Sequence, residues 1–238
     1  MSIVTVGNSK GGVGKTRIST HIAYLGLSEG AETVLLDTDQ TGSASSWKRL
    51  RSESEIEPAI PCFAVPKKPI AELRAMSPKY DLIVVDIGAN HFLTMMECAS
   101  VSDLVLVPCG DDQQEMEETL KVFSALQEKS ELEGRTIRAA IVLTRVSHLA
   151  THRATRDMRE LFSSLGLRVL SQTLPQRAAW KATGKTGKAL HELRGDDRSK
   201  AAESEMTGLY EEIKSLIGMT DEQWAATQPK DTSEQEAV

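Results

Sequence analysis

The four residues Ile3 to Val6 lead directly into GNSKGGVGKT at positions 7–16, and no other stretch limits the fold so tightly. A short β-branched run, a glycine-rich turn and then a helix with Ile18, Ile22 and Leu25 on one face form a strand–loop–helix unit. Such a unit aims free backbone N–H groups and the positive end of a helix dipole at an anion. Gly11, Gly12 and Gly14 free the backbone to wrap phosphate oxygens, Lys15 reaches the β and γ oxygens, and the Thr16 hydroxyl can hold Mg²⁺. The general phosphate-loop pattern G-x-x-x-x-G-K-[ST] fails only at its first position, where Ser9 stands. One lysine suffices for that loop, so Lys10, five residues before Lys15, needs a separate explanation.

The rest of the chain alternates in the same way. Ile3 to Val6, Thr33 to Leu36, Leu82 to Val85, Leu104 to Val107, Ala139 to Leu143 and Arg168 to Leu170 read as strands, nearly continuous in apolar residues, as in a parallel sheet covered on both faces. Helical spacing is expected from Thr16 to Glu29, at Met116, Leu120 and Phe123, and at Ala154, Met158, Leu161 and Leu165. The expected fold is α/β, a doubly wound, mostly parallel sheet flanked by helices in three layers. One domain should span residues 1–217, with a polar, acidic and flexible tail over 218–238. No apolar run approaches the roughly 20 residues that a membrane helix needs, and the N-terminus does not read as a leader, so a cytoplasmic protein is expected. Cys62, Cys98 and Cys109 lack metal or disulfide spacing and read as reduced thiols in or near the core.

The net charge of −6 conceals a division. Residues 135–200 carry 14 basic against 5 acidic side chains, whereas residues 1–134 carry 12 against 20. A surplus of this kind within one domain suggests an anion-binding face, with nucleic acid the leading candidate. A solvated surface balanced by acidic neighbours is the alternative.

The string K-G-G-V-G-K-T resembles the deviant phosphate loop of the ParA/MinD family of ATPases, a family of P-loop NTPases. The resemblance implies that Lys10 crosses a dimer interface to touch the partner subunit's nucleotide, as an arginine finger does. VLLDTDQTGSASSW and YDLIVVDIGAN match two further family elements in order. By resemblance Asp39 orients the attacking water and, with Thr16 and Asp86, attends the Mg²⁺. Gln40 and Thr41 stand where the family has Pro and Gln, and Ile87, Ala89 and Asn90 depart from its Asp-Thr-Pro-Pro ending. VPCGDDQQEMEETLKVF, VLTRV and TLPQRAAWKATGKTGKAL look most like the small, ParF-like plasmid-partition subgroup. Gly11, Gly12, Val13, Gly14, Lys15, Thr16 and Arg17 would then hold the phosphates of ATP, and Pro175, Gln176 and Arg177 would lie by the adenine.

The resemblance implies an ATP-driven homodimer that binds double-stranded DNA without regard to sequence. A ParB-like or small DNA-binding centromere adaptor would stimulate hydrolysis and release. Such a protein associates with the nucleoid when ATP is bound and needs no membrane. If the segment after Arg177 is helical, Lys181, Lys185 and Lys188 share a DNA-facing side. Trp47 and Trp180 read as packing or interface residues, and His148, His152 and His191 as surface residues. Three rivals share the loop. A MinD-like or cargo-positioning ATPase is the first, and its membrane-positioning form would carry a basic amphipathic C-terminal helix, whereas EMTGLYEEIKSLIG is acidic. A small-molecule ligase or kinase usually lacks the first lysine. An iron–sulfur relative would need cysteine ligands, for which Cys98 and Cys109 are the candidates.

Overall fold

A computed structural model describes residues 1–39, 42–65, 69–146 and 153–232. Seven strands, β1 (Ser2–Val6), β2 (Thr33–Asp37), β3 (Cys62–Ala64), β4 (Leu82–Asp86), β5 (Leu104–Cys109), β6 (Ala139–Thr144) and β7 (Val169–Leu174), form one sheet in the order β3-β2-β4-β1-β5-β6-β7. Every pairing is parallel. The helices are α1 (Lys15–Ser28), α2 (Ser43–Glu53), α3 (Ile70–Met76), α4 (Phe92–Ala99), α5 (Gln113–Glu133), α6 (Arg153–Ser164), α7 (Ala179–Thr186), α8 (Lys200–Ile217) and α9 (Asp221–Ala226).

Alternate residues of each strand feed opposite faces, which is why the strands read as unbroken apolar runs. Val4, Val6, Leu35, Val84, Leu104 and Leu106 pack under α1, α2, α7 and α8, with Trp47 and Trp180 in the same cluster. Ile3, Val34, Leu36, Ile83, Val85 and Val105 pack on the other face with α3, α4 and α5. All the expected strands exist. The last begins one residue late and runs on to Leu174, and the three-residue edge strand β3 was not anticipated. The chain builds from β1 toward one edge, returns with β4 beside it, and then builds toward the other edge from β5. A sheet with this reversal opens a crevice at the carboxyl ends of its strands, and there the loops after β1, β2 and β4 converge.

Part of the stretch after Gly218, expected to be a flexible tail, is helical and packed on the domain, with α9 over Asp221–Ala226. Thr220 caps α9 in a reciprocal capping box, and Trp224 on that helix is buried. The indole lies 4.4 Å from the Arg168 guanidinium, Arg138 pairs with Asp221, and Thr232 N donates to Ser164 O. A single aromatic with two cationic partners anchors a segment whose composition alone reads as disordered. His191 is half-buried, stacked on Tyr24, which corrects its surface reading; His148 and His152 lie outside the described residues. Cys98 and Cys109 are buried and Cys62 partly so, as expected.

Candidate nucleotide site

The loop at 7–16 is shaped by its glycines and tied down by its neighbours. Gly12 and Gly14 adopt φ of 78° and 98°, a left-handed region where a side chain is strained, and a Cβ on Gly12 would project into open space. Val13 is buried, and its carbonyl accepts from Thr144 Oγ1 at the end of β6 (2.9 Å). Asn8 Nδ2 reaches Pro108 O (2.8 Å) and Thr119 Oγ1 (3.1 Å), while Asn8 Oδ1 accepts from Lys10 N (3.2 Å). The departure at Ser9 has a local cause, because its hydroxyl donates to Glu118 Oε2 on α5 (2.8 Å). A glycine could not make that bond.

Lys15 is buried at the start of α1, and its Nζ donates to Lys10 O across the loop (2.7 Å). Burial lowers its pKa, opposed by Asp86 and Asp39. Lys10 points away from this cleft and donates to Gln114 Oε1 on α5. The two lysines therefore face different surroundings, one inward on its own loop and one outward along the molecular face.

Asp86 ends β4 fully buried. It accepts from Thr16 Oγ1 (2.7 Å) and Ser19 Oγ (3.0 Å), and burial raises its pKa to about 7. Asp37, which ends β2, accepts from Ser45 N and Ser45 Oγ (2.8 Å each) and from Asp39 N (3.0 Å). One carboxylate thus pins both the Asp39 backbone and the first turn of α2. Asp39 lines a cleft of about 390 Å³ together with Gly11, Gly12, Gly14, Lys15 and Thr16, and the cleft extends between α2 and α7 to Thr183 and Gly184. These residues fit a magnesium–nucleotide pair. The glycine cradle leaves room for phosphate oxygens, Lys15 supplies an ammonium whose partner in the cleft is a carbonyl, and the Thr16 hydroxyl with the Asp86 carboxylate is an oxygen set suited to Mg²⁺.

Pro175 and Gln176 line a narrower recess with Gly14, Arg17, Arg145 and Trp180, continuous with the loop. Arg177 differs. Its guanidinium grips Glu205 on α8, with Nε 2.9 Å from Oε2, and is held away from that recess. Arg145 was not singled out from sequence. It sits at φ 57°, pairs with the buried Glu115 and lines this recess, and only its place just after an apolar strand hinted at a role.

The basic surplus resolves unevenly. Arg138, Arg145, Arg153, Arg156, Arg177 and Arg198 all pair with carboxylates, mostly from the acidic flanks of the chain. Among the described residues Lys181 and Lys185, both exposed on α7, form no ion pair. Lys188 does not share their face, because the helix ends at Gly187, whose φ of 70° turns the chain before it. Arg177 precedes the helix. Of the three lysines expected on one side, two remain.

Sequence reasoning missed two buried groups behind α7. Arg51 on α2 is 1% exposed and forks onto Glu192, and His21 on α1 is 1% exposed with a pKa pushed down to about 3 by burial.

Residues 4–190 match the family model described as the CobQ/CobB/MinD/ParA nucleotide binding domain. The chain belongs to that family. Within the CobQ/CobB/MinD/ParA group it is 26% identical over 206 residues to the maintenance of carboxysome distribution protein A of Halothiobacillus neapolitanus, covering 84% of this chain and 91% of that one. It is 23% identical over 203 residues to protein ParA of Rhizobium radiobacter, covering 85% and 90%. Its fold is that of the septum site-determining protein MinD of Pyrococcus horikoshii, solved with Mg-ADP, at a TM-score of 0.68, 16% identity and coverage of 91% and 97%. Among the described residues no helix is long and apolar enough to cross a membrane.

Proposed function

We propose that this chain is an ATP-hydrolysing switch that binds DNA as a nucleotide-joined homodimer and leaves it after hydrolysis stimulated by a partner protein. The observation that carries the DNA half is the pair Lys181 and Lys185, exposed and unpaired where most of the neighbouring arginines are neutralised. Two such helices in a dimer offer one cationic surface, and phosphate contacts of this kind bind without reading sequence. Doubling the phosphates engaged raises affinity far more than twofold, which is how dimerisation couples nucleotide to DNA.

In this reading Lys15 and the loop amides hold the phosphates. Thr16 and Asp86 hold Mg²⁺, which supplies charge neutralisation at the transferring phosphoryl group. Asp39 orients the attacking water, and Lys10 leaves Gln114 to reach the partner's phosphates, completing the site only in the dimer. Pro175, Gln176 and Arg145 flank the base. A ParB-like or small centromere-binding adaptor fits a plasmid-partition cargo, in keeping with the relative named ParA.

A second reading, the positioning of a protein cargo on the nucleoid, is favoured by the relationship to a carboxysome-distribution protein and uses the same switch. A membrane-targeting role is disfavoured, because the apolar anchor of the C-terminal helix, Trp224, is buried in its own chain. The test is a gel shift on unrelated duplexes with ATP, ADP and no nucleotide. Binding of every duplex with ATP alone, lost in the double variant Lys181→Glu, Lys185→Glu, is expected. Nucleotide-independent binding, or an unaffected variant, would refute the assignment.

A further inference from the structure

The underside of α7 is fastened at two points, and each fastening comes from a helix that grows directly out of the nucleotide site. The first runs through α2. Asp37 accepts from Asp39 N and from Ser45 N and Oγ, so one carboxylate ties the Asp39 backbone to the first turn of that helix. Two turns further along, Arg51 donates from Nη1 to Glu192 Oε2 (2.5 Å) and from Nη2 to Glu192 Oε1 (2.7 Å). It also donates to Gly187 O (3.2 Å) and Pro58 O (2.9 Å). Gly187 is the residue that ends α7, and Glu192 Oε2 also accepts from Ala189 N (2.7 Å). A single guanidinium thus joins α2 to the last turn of the basic helix.

The second fastening runs through α1. His21 Nδ1 lies 2.6 Å from Arg17 O, and Leu190 N donates to Nε2 (3.1 Å). A carbonyl only accepts and an amide only donates, so one neutral tautomer, with its proton on Nδ1, satisfies both. The ring also meets Trp180, on the first turn of α7, edge to face at 4.9 Å. Arg51 and His21 stand in one buried cluster with Trp47 and Tyr24, the Arg51 guanidinium lying 5.5 Å and 5.8 Å from their rings.

A buried ion pair is a poor stabiliser compared with apolar packing, and its best-attested service is to fix one geometry among several. Here the geometry fixed is the attitude of α7. We propose that Arg51 and Glu192, with His21 as the second point, are positioning residues that transmit the state of the Asp39 turn to the Lys181–Lys185 face. The inference rests on the reading of α7 as the DNA-facing helix. The physical warrant is a chain of direct bonds: Asp37 accepts from Asp39 N and from Ser45 at the start of α2, and Arg51 further along α2 donates to the Gly187 carbonyl that ends the basic helix. Arg51 is suited to this because its planar fork holds four acceptors in fixed directions, which an ammonium cannot do.

The test is amide hydrogen exchange on the full chain with no nucleotide, ADP and a slowly hydrolysed ATP analogue, comparing wild type with Arg51→Lys. The variant keeps the charge opposite Glu192 and loses the fork. In wild type the analogue changes exchange both at 10–20 and at 179–190. In the variant nucleotide affinity stays within about twofold and the change at 10–20 persists, while the change at 179–190 disappears. A merely structural loss would loosen both segments in every nucleotide state. If Arg51→Lys does not fold, Glu192→Gln, which keeps one acceptor oxygen, carries the same comparison. An unchanged response at 179–190 in the folded variant, or no response there in wild type, overturns the proposal. Failure of wild type to bind DNA would instead overturn the functional reading and leave the exchange result to stand by itself.

Discussion

Two glycines three residues apart, Gly184 inside α7 and Gly187 at its C-cap, make opposite predictions for the same substitution. Gly184 lies inside the helix, and a Cβ built on it meets nothing within 4 Å. Alanine there gains helix propensity and restricts the unfolded chain, so Gly184→Ala is expected to stabilise by about 0.5–1 kcal/mol. Gly187 has φ 70°, and its Cβ would stand 2.4 Å from Arg51 N and 2.8 Å from Arg51 Cα. Both are backbone atoms of a neighbouring helix, and neither can rotate away. The left-handed conformation costs an alanine roughly 1–2 kcal/mol, and forcing α2 and α7 apart adds roughly 1–3 kcal/mol. Gly187→Ala is therefore expected to destabilise by about 2–5 kcal/mol. For a chain of this size, at about 2–4 °C per kcal/mol, that lowers Tm by roughly 4–20 °C, while Gly184→Ala raises it. Thermal melts of the two variants beside wild type decide the matter. A Gly187→Ala protein as stable as wild type would refute the close approach of α7 to α2 on which the mounting of the basic helix depends.

Three further outcomes follow from the site. Lys15→Ala should lose nucleotide binding, whereas Lys10→Ala, on the outer face, should keep it and lose dimerisation and turnover; equal loss of affinity by calorimetry would contradict the division of labour. Asp39→Ala should bind nucleotide and hydrolyse it at least about a hundredfold more slowly, collecting as a dimer with ATP, and a monomer on sizing would overturn that assignment. His21 and Asp86 oppose one another in pH dependence. His21, with its folded pKa near 3 against 6.5, contributes stability present above pH 6.5 and lost as pH falls. Asp86, near 7 against 3.8, contributes stability present below pH 3.8 and lost as pH rises. In urea melts of the metal-free protein between pH 4.5 and 6.5, His21→Gln should unmask a fall and Asp86→Asn a rise of stability with pH, each about 1.4 kcal/mol per pH unit. Parallel profiles for both variants would contradict the two burials.

The parts of the site legible in the sequence are those that local chemistry dictates. Gly12 and Gly14 stand where the backbone must turn left-handed around phosphate, and Asp86 ends a strand whose five residues are all buried. The pattern needs no knowledge of distant contacts. Lys188 and Arg177 were misplaced for the opposite reason. A glycine at 187 reads equally well as a helix interior or an end, and the partner of Arg177 lies 28 residues away on α8. The helix α2 escaped notice because SASSWKRLRSE shows a weak apolar face, with Ala44 and Trp47 its buried apolar residues. Arg51 within it looks like any surface arginine, since only the folded chain brings Glu192 against it from 141 residues away. Trp224 hid in the same way, a lone aromatic in a polar stretch whose two arginine neighbours, Arg138 and Arg168, stand just before β6 and β7.

Nucleotide and DNA should favour the same dimer, and thermodynamic reciprocity tests this coupling from the nucleotide side. If ATP raises the affinity for DNA by some factor, DNA must raise the affinity for ATP by that same factor. Binding of a slowly hydrolysed ATP analogue is therefore to be titrated at low salt with and without an arbitrary duplex, using wild type and the Lys181→Glu, Lys185→Glu variant. Wild type is expected to bind nucleotide more tightly when duplex is present, by a gain that shrinks as salt rises, and the variant is expected to show no gain. Nucleotide affinity in wild type that is indifferent to DNA at every salt concentration would contradict it.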